Sequence, residues 1–257
     1  MPSRKTISLS NGLGGLALLV AALLYLLTLD NGLHPEELVG GDLITHQYAQ
    51  VEGRPSNAPG YPLYTMGGWL WFRLAGLLWG WVLDPIQILS LYSTVWGLAS
   101  LLVLYLILLK VTGRQGVVAL LLTLFYATTF FFWYYSVTTE QYSSAVFQTQ
   151  LVIWLAFKWD EHPGQTTLLW LAFVSGTMLA NMLTTLFILP SLLWFIFSRR
   201  DKNGDEVSAG FGPESPAKAL TPNSQILIRP FRKSAFLRSK RHERTFLPSV
   251  HSTDPRS

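Results

Sequence analysis

Residues Tyr61–Leu83 read YPLYTMGGWLWFRLAGLLWGWVL, and the place of this apolar stretch decides the topology of the chain. Its length would let it cross a bilayer, which takes roughly 17–25 mostly apolar residues in a helix. It also contains Arg73, several glycines and four tryptophans, at positions 69, 71, 79 and 81. Because tryptophan gathers where hydrocarbon meets water, we predict a Trp-rich helix that lies in the outer membrane interface instead of spanning.

The distribution of basic residues supports that interpretation. If Tyr61–Leu83 were a span, Lys110 and Arg114 would lie outside. If it is not, the cytoplasmic side carries Arg4, Lys5, Lys110, Arg114, Lys158, Arg199 and Arg200. The second arrangement agrees with the excess of Lys and Arg in cytoplasmic loops of membrane proteins. In this arrangement Arg54 and Arg73 are the basic residues of 1–198 that lie on the outer side of the membrane.

Composition excludes an ordinary soluble domain. Apolar residues make up 50% of the chain and charged residues only 13%, where a soluble domain has about 25%. The chain contains no cysteine, which excludes a disulfide framework, a thiol nucleophile and a Cys-ligated metal.

Apolar runs predict an all-α integral membrane protein with about six transmembrane helices. The first four runs are Leu13–Leu29, Ile86–Leu109, Val117–Val137 and Ser143–Trp159. Leu168–Phe197 is too long for one ordinary span, and we expect two short spans that break near residues 181–185. The domain organisation that follows has a cytoplasmic N-terminus (1–12), a membrane domain (13–198) with a long outer loop (30–85), and a tail (199–257).

The outer loop contains the most specific motif. Ala58-Pro59-Gly60-Tyr61-Pro62-Leu63-Tyr64 resembles a signature of a multi-pass membrane family of undefined function that is related to the protein O-mannosyltransferases. Two shorter matches follow: Thr139-Glu140-Gln141-Tyr142 resembles a Glu-x-Tyr element, and Ala180-Asn181-Met182-Leu183-Thr184 an Asn-His-x-Thr element. The resemblance covers about residues 14–198, the N-terminal half of that family, and implies a GT-C-like fold.

The resemblance implies a glycosyltransferase that moves a sugar from a polyprenyl-phosphate donor to an acceptor on the outer membrane face. The acceptor must lose a proton as it attacks, and the resemblance makes Asp42 the candidate base, helped by partial burial, with Glu140 next. The leaving lipid phosphate needs cations or oriented donors. The substrate-binding residues expected on this basis are His46, Arg54, Pro59, Gly60, Tyr61, Tyr64, Arg73, Tyr142 and Asn181.

Each of these residues also has a purely structural interpretation. Asp42 and Glu140 are suited to helix N-termini, where the helix dipole favours an acid. His46, four residues after Asp42, shares its face if the segment is helical. Arg73 is long enough to reach the lipid headgroups from an interfacial helix. Asn181 is suited to hydrogen bonds that join helices. His34 is a weaker candidate than His46 for a contact with substrate. Glu36, Glu37 and Asp42 offer a weak metal site.

The expected partners are membrane lipid, a polyprenyl-phosphate sugar and an unidentified acceptor, without nucleic acid. We expect no cofactor, although carboxylates in the loop leave a divalent metal open. The expected location is the plasma (inner) membrane, with both termini in the cytoplasm. A non-catalytic scaffold or lipid-binding module and a transporter remain alternatives, although the spans carry almost no ionisable groups of the kind that transport pathways need.

The tail differs from the rest in charge. Residues 1–198 carry a net −2, whereas residues 199–257 carry twelve Lys/Arg and six Asp/Glu. Such a Pro-rich basic segment is typical of a disordered cytoplasmic tail that contacts anionic headgroups. Since the family continues with further spans here, a truncated remnant of the enzyme is also an expectation.

Overall fold

The computed structural model describes residues 4–32 and 42–210, with side chains from 10–32 and 42–199. These residues fold as helices without a β-strand, which confirms the predicted all-α class. The expectations for His34, Glu36, Glu37 and residues 211–257 lie outside the described residues. The elements in order are α1 (Arg4–Leu27), α2 (Asp42–Glu52), α3 (Pro62–Trp79), α4 (Pro85–Val111), α5 (Gly116–Ala127), α6 (Phe130–Val137), α7 (Tyr142–Glu161), α8 (Gln165–Asn181), a 3₁₀ helix (Leu183–Ile188) and α9 (Leu189–Gly210).

Helix α4 forms the centre of the bundle and packs against α1, α3, α5, α6 and α7. It starts sharply because Asp84 and Gln87 form a capping box and Pro85 occupies the first turn, where a missing N–H costs nothing. On one side Leu101 packs with Tyr25 and Phe132, while Tyr105 covers Gly14 of α1. A second core joins α7, α8 and α9 through residues such as Val152 and Met178.

Helices α4 and α7 run in the same direction. Ser93 bonds to the backbone of Glu140 near the start of both helices, and the Ser100 hydroxyl donates to Gln150 in their middle (2.8 Å). Lys110 and Glu161 pair near their far ends at 3.1 Å. A parallel pair places both helix starts, with the functional candidates, at one end of the bundle, and the ion-paired charges at the other.

In the part of the chain that the structure describes, two helices are long and apolar enough to cross a membrane, Ser10–Leu27 and Pro85–Val111. They correspond to the first and second predicted spans. Helices α7 and α8 do not reach this standard, since α7 carries Gln148, Gln150 and charges at its end, and α8 has 17 residues. Helix α3 is also not among the candidates, as expected for the stretch that the charge distribution excluded from the spans.

The predicted uninterrupted span Val117–Val137 is bent. Helices α5 and α6 meet at 68°, and together they make a third candidate span only as one broken helix. The bend lies at Thr128 and Thr129, whose hydroxyls donate back to carbonyls of the preceding turn, at 3.1 Å to Leu124 and 2.7 Å to Tyr126. Such bonds compete with the helical pattern and favour a bend. Apolar composition alone did not reveal it.

The predicted interruption of Leu168–Phe197 is confirmed. Helix α8 ends at Asn181, Met182 is extended, and a 3₁₀ helix covers Leu183–Ile188. The hydroxyl of Thr185 donates to the Met182 carbonyl at 2.6 Å and stabilises this turn. Helix α9 then continues to Gly210, past the boundary at 199 that composition suggested for the tail.

Candidate functional site

The Pro-Gly-Tyr-Pro motif forms a turn that starts α3. Gly60 has φ +94°, a conformation that side chains rarely adopt, and Tyr61 follows in the left-handed region at φ 40°. Pro62 then opens the helix, and the hydroxyl of Thr65 donates back to the Gly60 carbonyl at 3.1 Å. Left-handed tyrosine is a strained conformation of the kind found at functional sites. Gly60, Tyr61 and Pro62 therefore each have a structural role in this turn.

Tyr64, at the end of the motif, fixes α3 to the bundle. Its ring is 1% exposed, and its hydroxyl lies 2.6 Å from the Ser93 hydroxyl of α4. Ser93 in turn donates to the Glu140 carbonyl and accepts from the Glu140 N–H, both at 3.2 Å. Since Ser93 has one proton, Tyr64 is the donor in their bond. Helices α3 and α4 and the start of α7 are thus joined by buried hydrogen bonds.

His46 is enclosed between α2, the Pro-rich turn and the start of α7. It has no exposed surface; its Nδ1 lies 2.9 Å from the Ser56 hydroxyl, and its Nε2 lies 3.7 Å from Oε2 of Glu140. Burial lowers the pKa of His46 to about 4, against the opposing effect of the Asp42 carboxylate. The imidazole is therefore neutral at physiological pH. Glu140 is itself buried, at 6% exposure.

Asp42 begins α2 and is exposed, which corrects the expectation of partial burial. One of its carboxylate oxygens accepts a hydrogen bond from the Asn57 side-chain amide. It does not bond His46 directly; Asn57 and Ser56 stand between them, with the Ser56 hydroxyl donating to the Asn57 carbonyl at 3.0 Å. The buried carboxyl group of the two candidates is that of Glu140, which lies between α6 and α7.

A cavity of about 870 Å³ lies beside the Pro-rich turn whose Ser56 and Asn57 bond to His46 and Asp42. It is mostly apolar and is lined by the Pro-rich turn and helices α3, α4, α7 and α8. Tyr64, Tyr92 and Trp96 form an aromatic wall of the cavity, and Arg54 lines the cavity from the loop. Its volume is in the range of cavities that hold small organic ligands, with few polar groups to orient them.

A polar patch lies in the cavity wall between α7 and α8. The amide of Asn181 donates to the Ser144 hydroxyl and to the Gln148 side-chain carbonyl, both at 2.9 Å. All three residues line the cavity. Ser144 also donates to the Gln141 carbonyl at 2.7 Å, so the patch is fixed to the start of α7.

The structure brings five predicted substrate-binding residues to this cavity: Arg54, Pro59, Gly60, Tyr64 and Asn181. Tyr61 lies instead against His46, with ring centroids 5.3 Å apart. Two others lie elsewhere. Arg73 is exposed on α3, nine residues after Tyr64 and so about 13 Å further along the helix, and it does not line the cavity. Tyr142 packs against Tyr135 with tilted rings, whose centroids lie 4.4 Å apart.

Four residues near the site were not predicted from the sequence as site residues. Ser56 and Asn57 connect His46 to Asp42, while Ser144 and Gln148 line the cavity. A signal existed for the second pair, because polar residues four apart lie on the same face of an apolar helix. No signal existed for the first pair, since their partners are ten or more residues away. Within the described residues, no three His, Asp or Glu side chains gather as metal ligands.

Comparison with known proteins identifies the family. The model of the protein O-mannosyl-transferase TMEM260 N-terminal domain matches residues 49–205, more than half of the chain. Glu140, Arg54 and Asn181 lie inside the match, and Asp42 and His46 just before it. No curated protein and no solved structure matched. The match confirms the resemblance seen in the sequence: the chain belongs to the TMEM260 N-terminal domain family of protein O-mannosyl-transferases.

Proposed function

We propose that this protein is a membrane glycosyltransferase of the GT-C type, which transfers a mannosyl group from a polyprenyl-phosphate donor to an acceptor hydroxyl on the outer membrane face. The family's description supports mannosyl transfer. The observation that carries the proposal is the apolar cavity with Arg54 in its wall, since the turn that lines it also holds Asn57 and Ser56, which bond to Asp42 and His46.

The cavity fits the chemistry of such a donor. Its aromatic and aliphatic lining suits isoprenoid units, while the guanidinium of Arg54 suits the phosphate at the end of the lipid. Arg54 is exposed and lies over the Tyr48 ring, with its Cζ 3.9 Å from the ring centroid, which holds the guanidinium near the turn. Ser144, Gln148 and Asn181 offer hydroxyl and amide groups of the kind that bind sugar hydroxyls.

The transfer step needs one base and one stabilised leaving group. The acceptor oxygen attacks the anomeric carbon, the bond from that carbon to the phosphate oxygen breaks, and the lipid phosphate leaves with the electron pair. The acceptor proton passes to a carboxylate. Asp42 is exposed and open to an acceptor, whereas Glu140 is 6% exposed and packed beside His46. We assign the base to Asp42 on this ground.

We further propose six membrane crossings, with both termini in the cytoplasm of a plasma-membrane protein. The direction of the helices supports this. The start of α7 and the end of α8 meet at Asn181, and the far end of α7 meets α9 through the ion pair of Asp160 with Arg199 (3.2 Å). Candidate site and ion-paired charges then lie on opposite membrane faces, with the basic residues inside.

The test is transfer by purified protein in lipid, with a panel of polyprenyl-phosphate sugars and a serine- or threonine-containing peptide acceptor. The native protein is compared with Asp42→Asn and with Glu140→Gln, and thermal unfolding of each variant controls for folding. We expect mannosyl transfer that Asp42→Asn reduces by at least about a hundredfold, within the range typical of a general base.

The outcomes separate the assignments. Transfer that survives Asp42→Asn but is lost in a folded Glu140→Gln variant would move the base to Glu140. Equally efficient transfer of a different sugar would reject the mannosyl assignment. No turnover with any donor, although the protein is folded and inserted, would reject the enzyme and favour a lipid-binding module.

A further inference from the structure

A continuous set of side-chain contacts connects the two candidate carboxylates. It runs from Asp42 to Asn57, from Asn57 to Ser56, from Ser56 to Nδ1 of His46, and from Nε2 of His46 to Glu140. We call these five residues the outer polar network. It joins an exposed acid on α2 to a buried acid at the start of α7 across 98 positions of the sequence.

The hydrogen bonds of the network have one direction. A carboxylate only accepts, so the amide of Asn57 must turn its NH₂ toward Asp42 and its carbonyl toward Ser56. The Ser56 hydroxyl therefore donates to Asn57 (3.0 Å), and its oxygen accepts from Nδ1–H of His46 (2.9 Å). In the neutral imidazole the proton is then on Nδ1, and Nε2, 3.7 Å from the Glu140 carboxyl, carries none.

Burial makes this arrangement rigid at one end only. His46 is fully buried and held between rings of Tyr61 and Tyr64, whereas Asp42 is exposed and would otherwise rotate freely. A side chain that is held by a buried partner loses that freedom. A misplacement of a reacting group by about 1 Å can lower a rate about a hundredfold, so the orientation of the base affects transfer strongly.

We propose that Ser56 and Asn57 are positioning residues: they transmit the fixed orientation of the buried His46 to the exposed carboxylate of Asp42. This inference rests on the proposed transfer reaction, with Asp42 as its base. Asn57 acts on the reaction through Asp42, and Ser56 acts through Asn57 and His46. Neither residue lines the cavity, so neither contributes to donor binding.

The first test is kinetic. Asn57→Ala should lower kcat about tenfold, the effect of losing one hydrogen bond to a charged group, and should change the donor KM less than about threefold. Asn57→Asp, which keeps the shape but loses the N–H donor, should lower kcat at least as much. Ser56→Ala should have a smaller effect that Ser56→Thr, which retains the hydroxyl, rescues. Gln115→Ala, exposed at the start of α5, is the matched control.

A double variant isolates the route of the effect. Because Asn57 acts through the carboxylate of Asp42, Asn57→Ala should cost no further activity when Asp42 is already Asn. An additional tenfold loss in that background, or an Asn57→Ala variant with native kcat, would overturn the proposal. A loss confined to donor KM would assign Asn57 to binding and would also overturn it.

The second test needs no turnover. In protein labelled with ¹⁵N-histidine, the His46 resonances, assigned by comparison with His46→Gln, should show a protonated Nδ1 and an unprotonated Nε2 at pH 7. Ser56→Ala should change this tautomer balance. A proton on Nε2 in the native protein would overturn the network's direction. If the native protein shows no transfer activity, the proposed function is rejected, and with it the role of Ser56 and Asn57 in transfer. The Nδ1 resonance of His46 still decides the hydrogen-bond arrangement in that case.

Discussion

Removing the two hydroxyls that join α3 to α4 should have unequal effects. Tyr64→Phe deletes the donor, but Ser93 keeps its bonds to the backbone of Glu140. No buried polar atom loses its last partner, and we expect a loss of about 1 kcal/mol in unfolding free energy. Ser93→Ala deletes the acceptor of a fully buried Tyr64 hydroxyl and the donor to the Glu140 carbonyl. The desolvated groups make the expected loss about 2–3 kcal/mol.

Thermal unfolding of the purified protein in detergent, followed by tryptophan fluorescence, measures both effects. For a protein of this size, each kcal/mol corresponds to roughly 2–4 °C in Tm. The double variant should be no less stable than Ser93→Ala alone, since a phenylalanine needs no acceptor. Thr123→Val is the control, because the Thr123 hydroxyl bonds only to its own helix, at the Ala119 carbonyl. A Tyr64→Phe variant less stable than Ser93→Ala, or strict additivity in the double variant, would refute the assigned donor direction.

Three further predictions follow from the site. Because burial lowers the pKa of His46 from 6.5 to about 4, the folded state resists protonation of this side chain. The free energy of unfolding should be retained above pH 6.5 and should fall by up to about 3 kcal/mol as the pH drops to 4. In a thermal-unfolding series His46→Gln should flatten this fall, and an unchanged slope would contradict the prediction. Gly60→Ala should destabilise by about 1–3 kcal/mol, since φ +94° strains any residue with a Cβ, and a Tm equal to that of the native protein would contradict this. Arg54→Gln should weaken binding of a polyprenyl phosphate about tenfold in a titration with the lipid in detergent, while Arg73→Gln, outside the cavity, should not; equal effects of both would remove Arg54 from the phosphate site.

The sequence predicted the parts of the fold that local patterns determine. The Trp content and the charge distribution separated α3 from the spans, and Pro62 marked its first turn. The break after Asn181 followed from the length of the apolar run. The bend between α5 and α6 was missed because apolar composition hides it, although the adjacent pair Thr128 and Thr129 was a usable signal.

The environment of each site residue could not be predicted in the same way. His46 was expected to share a helix face with Asp42 and to bind substrate, but its burial depends on contacts with residues such as Glu140, 94 residues later. The same long-range packing buries Glu140 and leaves Asp42 exposed, whereas partial burial had been expected for Asp42. Patterns of a few residues identify which side chains belong to the site, but only the packing of α2 against α3, α4 and the segment before α7 decides which of them solvent reaches.

The opposite environments of Asp42 and Glu140 separate their roles in the proposed reaction. A general base must come within about 3 Å of the proton that it removes, and only the exposed carboxylate has room for an acceptor of peptide size. The carboxyl group of Glu140 lies near the neutral imidazole of His46, whose Nε2 carries no proton when the hydrogen bonds of the network run as described. The backbone of Glu140 bonds to Ser93 and so holds α4 and the start of α7 together. These bonds are made by the backbone of Glu140 and do not depend on its side chain. Glu140→Gln should therefore lower transfer much less than Asp42→Asn, and Asp42→Asn should leave stability nearly unchanged.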